Sequence, residues 1–203
     1  MTSIAIEKTV TNTVSDPVND LEVKQLLTLE DFLQLPDVDE SYELVEGSAI
    51  KKMSPKFFHS SLTTVFWVEL SAWCDGFGRV RVEWSVILKR RGKDWVPVPD
   101  LLYVSHERLP ADWCEDAPCP VLPELVIEIV SPDQTFNQLA QKAMDYLSAG
   151  VDRVWVIYPP MRSLTVFFAD RPPETYRGER LLTDDLFPTL AMTSEQFFIK
   201  AGI

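Results

Sequence analysis

The chain has 203 residues, 46% of them hydrophobic, 11% aromatic and 25% charged, which is enough for one well-buried core and short for two. It lacks any apolar run near the roughly 18 residues that a membrane span needs. Residues 1–23 have no basic segment leading into an apolar one, so neither a membrane anchor nor a signal peptide is expected, and the location expected is cytoplasmic. The net charge of −12 works against any broad polyanion-binding surface, because phosphate contacts call for a basic footprint.

In chain order, residues 1–26 are polar, threonine-rich and aperiodic, and read as an extension outside the folded domain, which spans 27–203. Thr28 followed by Asp31 predicts a capped short helix that stops before Pro36. Residues 42–54 alternate loosely around Glu46-Gly47, the pattern of a hairpin. Phe58, Leu62, Val65, Phe66, Leu70 and Trp73 place one apolar stripe on a helix over 57–75. Period-two alternation predicts a single strand over 79–91, and after a turn at Gly92 residues 95–105 lead into a second.

Residues 107–123 form a proline-punctuated loop. The near-continuous apolar run 124–131 has the character of a central strand covered on both faces. A helix over 135–148 follows, closed by Gly150, then strands 153–158 and 163–169 joined by Pro159-Pro160. A strand-like 174–182 precedes a last short helix led by Thr193 or Ser194. Strand, helix, strands, helix and strands in this order predict an α/β (α+β) fold, a mixed sheet with helices packed on it.

Several residues fit this scaffold poorly. Glu128 sits inside Leu125-Val126-Ile127-Glu128-Ile129-Val130, on the face of Val126 and Val130. A carboxylate there costs several kcal/mol of desolvation unless it is paired, protonated or bound to a cation. Its partner is a metal ion or an arginine of a neighbouring strand. Asp100 follows Pro99 at a strand start, an ordinary turn dipeptide alone but a second hard oxygen donor beside Glu128. Lys142 lies at the edge of the stripe formed by Phe136, Leu139, Ala143, Tyr146 and Leu147, where lysine snorkels to solvent or reaches over the sheet. Glu43 and His59 read as partly exposed polar residues, and the six tryptophans as packing. Cys74, Cys114 and Cys119 have no knuckle or redox spacing and read as free thiols. Two local basic clusters, Lys51/Lys52/Lys56 and Lys89/Arg90/Arg91/Lys93, flank the candidate segments; such runs are either solvated ends or phosphate contacts.

Taken together, YELVEG (42–47), MSP (53–55) with the following His59, VPDLLYVS (98–105), PELVIEIVSPD (123–133) and KAMDYLSAGVDRVWVIYP (142–159) resemble the PD-(D/E)XK nuclease superfamily. Within it they resemble the restriction-endonuclease-domain family, over roughly residues 42–168. The resemblance implies a restriction-endonuclease-like mixed sheet flanked by helices and Mg²⁺-dependent hydrolysis of DNA phosphodiesters, with Mn²⁺ as a substitute. It implies that Asp100 and Glu128 ligate the ion, that Glu43 assists, and that Lys142 acts with the attacking water. The superfamily's usual lysine two residues after the second acid is Val130 here; the narrower family carries it on the following helix, which fits Lys142. Without a metal, such clustered carboxylates are expected to have raised pKa values. A homodimer is expected for cleavage of both strands, with the apolar C-terminal strands as its interface. The alternatives are a nuclease-fold binding or regulatory protein without activity, favoured by the acidic charge and Val130, and a hydrolase of small phosphodiesters.

Overall fold

A computed structural model describes residues 26–35 and 41–203; the extension expected over 1–26 lies outside these residues except for Leu26. Helix α1 (Leu29–Leu33) begins as its capping box predicts, with the Thr28 hydroxyl accepting from the Asp31 amide. Strands β1 (Tyr42–Val45) and β2 (Ser48–Lys51) form the expected hairpin. Its turn residues Glu46 and Gly47 both have positive φ, 51° and 82°, the twist that matches paired strands. A Cβ at position 47 would also sit 2.7 Å from that of Leu26.

Helix α2 (Phe57–Trp73) buries Leu62, Phe66 and Leu70, while Phe58 of the predicted stripe stays exposed. Beyond it the structure departs from the single strand expected over 79–91. The chain forms β3 (Gly78–Val82), bends at Glu83 with φ of 50°, and resumes as β4 (Leu88–Arg90) in a different sheet. The segment 95–105 divides likewise. Strand β5 (Lys93–Val96) pairs with β4 and β1, and β6 (Leu101–Ser105) pairs with β3. Between them Pro97 and Pro99 lack the amide donors that a continuing ladder needs. Alternation persists through both crossings because each half is a strand, so the period alone does not reveal the change of sheet.

The remainder matches expectation, except that the strand expected over 174–182 ends at Arg177, before Gly178 with φ of 55°, and Leu181 forms only an isolated bridge. Residues 107–123 hold turns and one isolated bridge, Val86 to Cys119. Strand β7 (Leu125–Ile129) is buried throughout, and α3 (Phe136–Ser148) starts at a Thr135–Gln138 capping box. Gly150, with φ of 102°, follows its last turn. Strands β8 (Arg153–Tyr158), β9 (Ser163–Phe168) and β10 (Glu174–Arg177) lead to α4 (Ser194–Lys200), capped by Thr193.

The result is a mixed α+β fold with two sheets. The large sheet runs β10-β9-β8-β7-β6-β3 with one parallel pair, β7 with β8; the small one runs β2-β1-β5-β4. One face of the large sheet (Leu101, Ile127, Trp155) packs on Leu62 and Phe66 of α2 and Phe197 of α4. The other (Leu102, Val126, Val154, Val156) packs on Leu139, Ala143 and Tyr146 of α3 and on Trp95 of the small sheet. Each large apolar side chain so buried contributes about 1.5–3 kcal/mol.

All six residues of β9 are buried between β8, β10 and the helices, and β8 is interior too. Among the described residues no helix is long and apolar enough to cross a membrane. Cys74, Cys114 and Cys119 are free thiols, as expected.

Candidate active site

The two sheets meet where the chain crosses between them, and the acidic residues gather there. The β6–β7 register ends with Leu101 opposite Ile127, and Asp100, just before β6, accepts from the Ile129 amide at the end of β7. Glu128 lies on the face covered by α3, whose Lys142 and Tyr146 are one helical turn apart, and Glu43 arrives from β1 of the small sheet.

The Lys142 ammonium lies 2.8 Å from Glu43 Oε1 and 3.0 Å from Glu128 Oε1. Tyr146 donates its hydroxyl to the same Glu128 oxygen at 2.8 Å, and the Val98 amide donates to Glu43 Oε1 at 3.1 Å. The strand arginine considered as a partner for Glu128 is thus replaced by a lysine and a tyrosine from a helix. Asp100 is held from three sides. Lys52, just after β2, reaches Oδ1 at 3.0 Å; His59 Nε2 in the first turn of α2 and the Ile129 amide donate to Oδ2 at 2.9 and 2.7 Å.

These partners give the two acids opposite electrostatics. For Asp100, burial alone would raise the pKa, but the His59 hydrogen bond and the Lys52 charge, with the Ile129 amide, bring it down to about 2. For Glu128, burial pushes the pKa up; the Lys142 charge works against this, repulsion from Asp100 and Glu43 adds to it, and the net shift is upward. The general rise expected for clustered carboxylates therefore holds for Glu128 and fails for Asp100, whose donors outweigh its desolvation. Burial works against the Lys142 ammonium, yet Glu128 and Glu43 more than reverse this and hold it charged. Burial, with the neighbouring Glu128, pushes the Tyr146 phenol well above its usual range.

The structure brings together Glu43, Asp100, Glu128 and Lys142, the four residues singled out in the sequence, and adds Lys52, His59 and Tyr146. Lys52 was visible only as one member of a basic cluster, and Tyr146 only as part of an apolar stripe. Of the other clustered cations, Lys56 pairs with Asp133 at 2.8 Å and Arg90 with Asp145 at 2.8 Å, which favours an ordinary structural role for both. Among the described residues, no three His, Cys, Asp or Glu side chains form a group that could hold a metal ion.

Because ionised Glu128 is disfavoured in the fold, Glu128→Gln is expected to stabilise the protein at neutral pH. The sign follows from the raised folded pKa: the contribution of Glu128 is fully present below its unfolded value of about 4.3 and is lost as pH rises through the folded one. Thermal melts should show the variant above wild type at pH 8, with the gap closing toward pH 4. A variant melting lower at pH 8 would contradict this account.

The fold and site define the class as restriction-endonuclease-like: a mixed sheet with paired acids at a strand end and a lysine on the following helix. The Uma2 family model, described as "Putative restriction endonuclease", matches residues 29–195, and the chain belongs to that family. The crystal structure of a protein from Anabaena variabilis ATCC 29413, described as a "putative nuclease belonging to DUF820", superposes with a TM-score of 0.74 at 23% identity, covering 86% of this chain and 99% of that one. No curated protein matches the chain.

Proposed function

We propose that this protein is a divalent-metal-dependent nuclease hydrolysing DNA phosphodiester bonds, with Asp100 and Glu128 as ligands of Mg²⁺ or Mn²⁺. The observation that carries the reading is the proximity of these acids: Asp100 accepts from the Ile129 amide next to Glu128, and the Lys142 ammonium lies 3.0 Å from Glu128. The donor set fits. Mg²⁺ is commonly held by one or two carboxylates while water and substrate phosphates complete its octahedron. Lys52 and Lys142 each lie 3.0 Å from one of the two acids, so positive charge already sits where an ion would.

A bound ion supplies Lewis-acid polarisation of a phosphoryl oxygen and acidifies water. Lys142, kept protonated, is unsuited to take a proton from the nucleophile. It donates hydrogen bonds instead, orienting the attacking water and offsetting charge that develops on the phosphoryl oxygens. Glu43, fixed by the Val98 amide, sets the position of that ammonium. Val130, where the superfamily's usual lysine stands, is buried in the α3-side core, so the ammonium near Glu128 comes from α3.

The test is nicking of supercoiled plasmid with Mg²⁺ or Mn²⁺ by wild type and Glu128→Gln, with Mn²⁺ binding measured by titration calorimetry. Wild type should nick and bind, and the variant should do neither. One observation favours a second reading, a nuclease-fold binding protein: both Asp100 oxygens already have protein partners. Mn²⁺ binding without cleavage of plasmid, single strand or small phosphodiester would select it.

A further inference from the structure

Beside the acids lies a groove of about 410 Å³ between the first half of α2 and the end of β3, with His59 and Asp100 in its wall. Its volume falls within the roughly 300–1,000 Å³ of small-ligand sites. Thr63 and Thr64 line it and donate their hydroxyls to helix carbonyls; the Thr63 oxygen also lies 3.4 Å from His59 Nδ1, while that of Thr64 is left to accept from a ligand. Trp67 closes it and is 44% exposed, with Val82 opposite at 42%.

Trp67 differs from the chain's other tryptophans. Trp73, Trp84, Trp95, Trp113 and Trp155 each pack against another aromatic ring, whereas Trp67 has no ring or cation partner among the described residues. Packing accounts for the five and leaves the sixth unexplained. The charge balance points the same way. A chain of net charge −12 gains little from phosphate contacts, so affinity for a nucleic acid must come largely from its bases.

Resting on the nuclease reading above, we propose that this groove takes one unpaired nucleotide adjoining the scissile phosphate, its base stacked on Trp67, so that the substrate is a single-stranded or locally opened segment. A duplex keeps its bases inside and presents its phosphates, so a base reaching Trp67 has left its stack. Stacking on an exposed aromatic tolerates any base, and the Thr64 oxygen supplies an acceptor for its edge.

The experiment measures fluorescence anisotropy of labelled oligothymidylate, about twelve nucleotides long, and of a duplex of equal length, with full-length protein in EDTA so that hydrolysis cannot interfere. Wild type should bind the strand more tightly than the duplex. Trp67→Ala should weaken strand binding on the order of tenfold or more, while Trp67→Phe, which keeps a stacking ring, retains most of it. Trp67→Ala binding the strand as tightly as wild type, wild type preferring the duplex, or wild type binding neither probe would overturn the proposal. Because no metal is present, a wild-type failure to nick plasmid sinks the hydrolytic reading alone and leaves the stacking result to stand.

Discussion

Lys142→Met is expected to reduce Mn²⁺-dependent nicking by about a hundredfold, on the order of 2.7 kcal/mol of barrier, while Mn²⁺ binding persists. The ammonium bridges Glu43 and Glu128 and is the cationic group nearest the acid that would hold the ion. Methionine keeps much of the stem and removes the charge. Some stability is lost as well, since Glu43 and Glu128 lose their counter-ion. The loss should stay below the roughly 3–5 kcal/mol of stranding a buried charge, because Glu128 is already biased toward its protonated form. Equal nicking by variant and wild type would remove Lys142 from the mechanism, and lost Mn²⁺ affinity would recast it as part of the binding site.

Asp100→Ala is expected to abolish nicking and also to cost about 3–5 kcal/mol of folding stability, a large share of the roughly 5–15 kcal/mol a domain has. The alanine leaves His59, Lys52 and the Ile129 amide without their common acceptor in a site where Asp100 is only 3% exposed. Because the folded pKa of Asp100 is depressed, its contribution is fully present above the unfolded value of about 3.9 and is lost as pH falls through about 2. Chemical denaturation at pH 7 should show the deficit, and it should shrink on acidification toward pH 2. Glu128→Gln and Asp100→Ala therefore part company: both lose activity, but the first gains stability at neutral pH and the second loses it. Variants that shift stability the same way would refute the charge assignments.

What the sequence revealed and what it hid have a common physical reason. Glu128 stood out because an acid inside a five-residue apolar strand has a desolvation cost that sequence neighbours cannot relieve. Lys142 was legible because helical periodicity put it near an apolar stripe, and Asp100 because it gains meaning beside Glu128. His59 and Lys52 were opaque, since each is ordinary among its neighbours and takes its significance from Asp100, 41 residues beyond His59. The second sheet was hidden as well. It depends on a non-glycine residue, Glu83, adopting a left-handed backbone, and on the prolines at 97 and 99 marking a change of sheet rather than a pause in one strand.

The seam between the sheets also bears on how metal and substrate affinity are linked. Leaving aside the more exposed Glu83, Lys52 and Lys142 offset Glu43, Asp100 and Glu128 to neutrality or to a single negative charge, according to whether Glu128 keeps its proton. Under the proposed function, a dication held by Asp100 and Glu128 would leave this cluster net positive within an otherwise acidic molecule. The cluster would then attract the phosphate of a phosphodiester more strongly than it does without the ion. The base contact at Trp67 needs no metal, so the ion would tighten a hold on the substrate that the groove already provides.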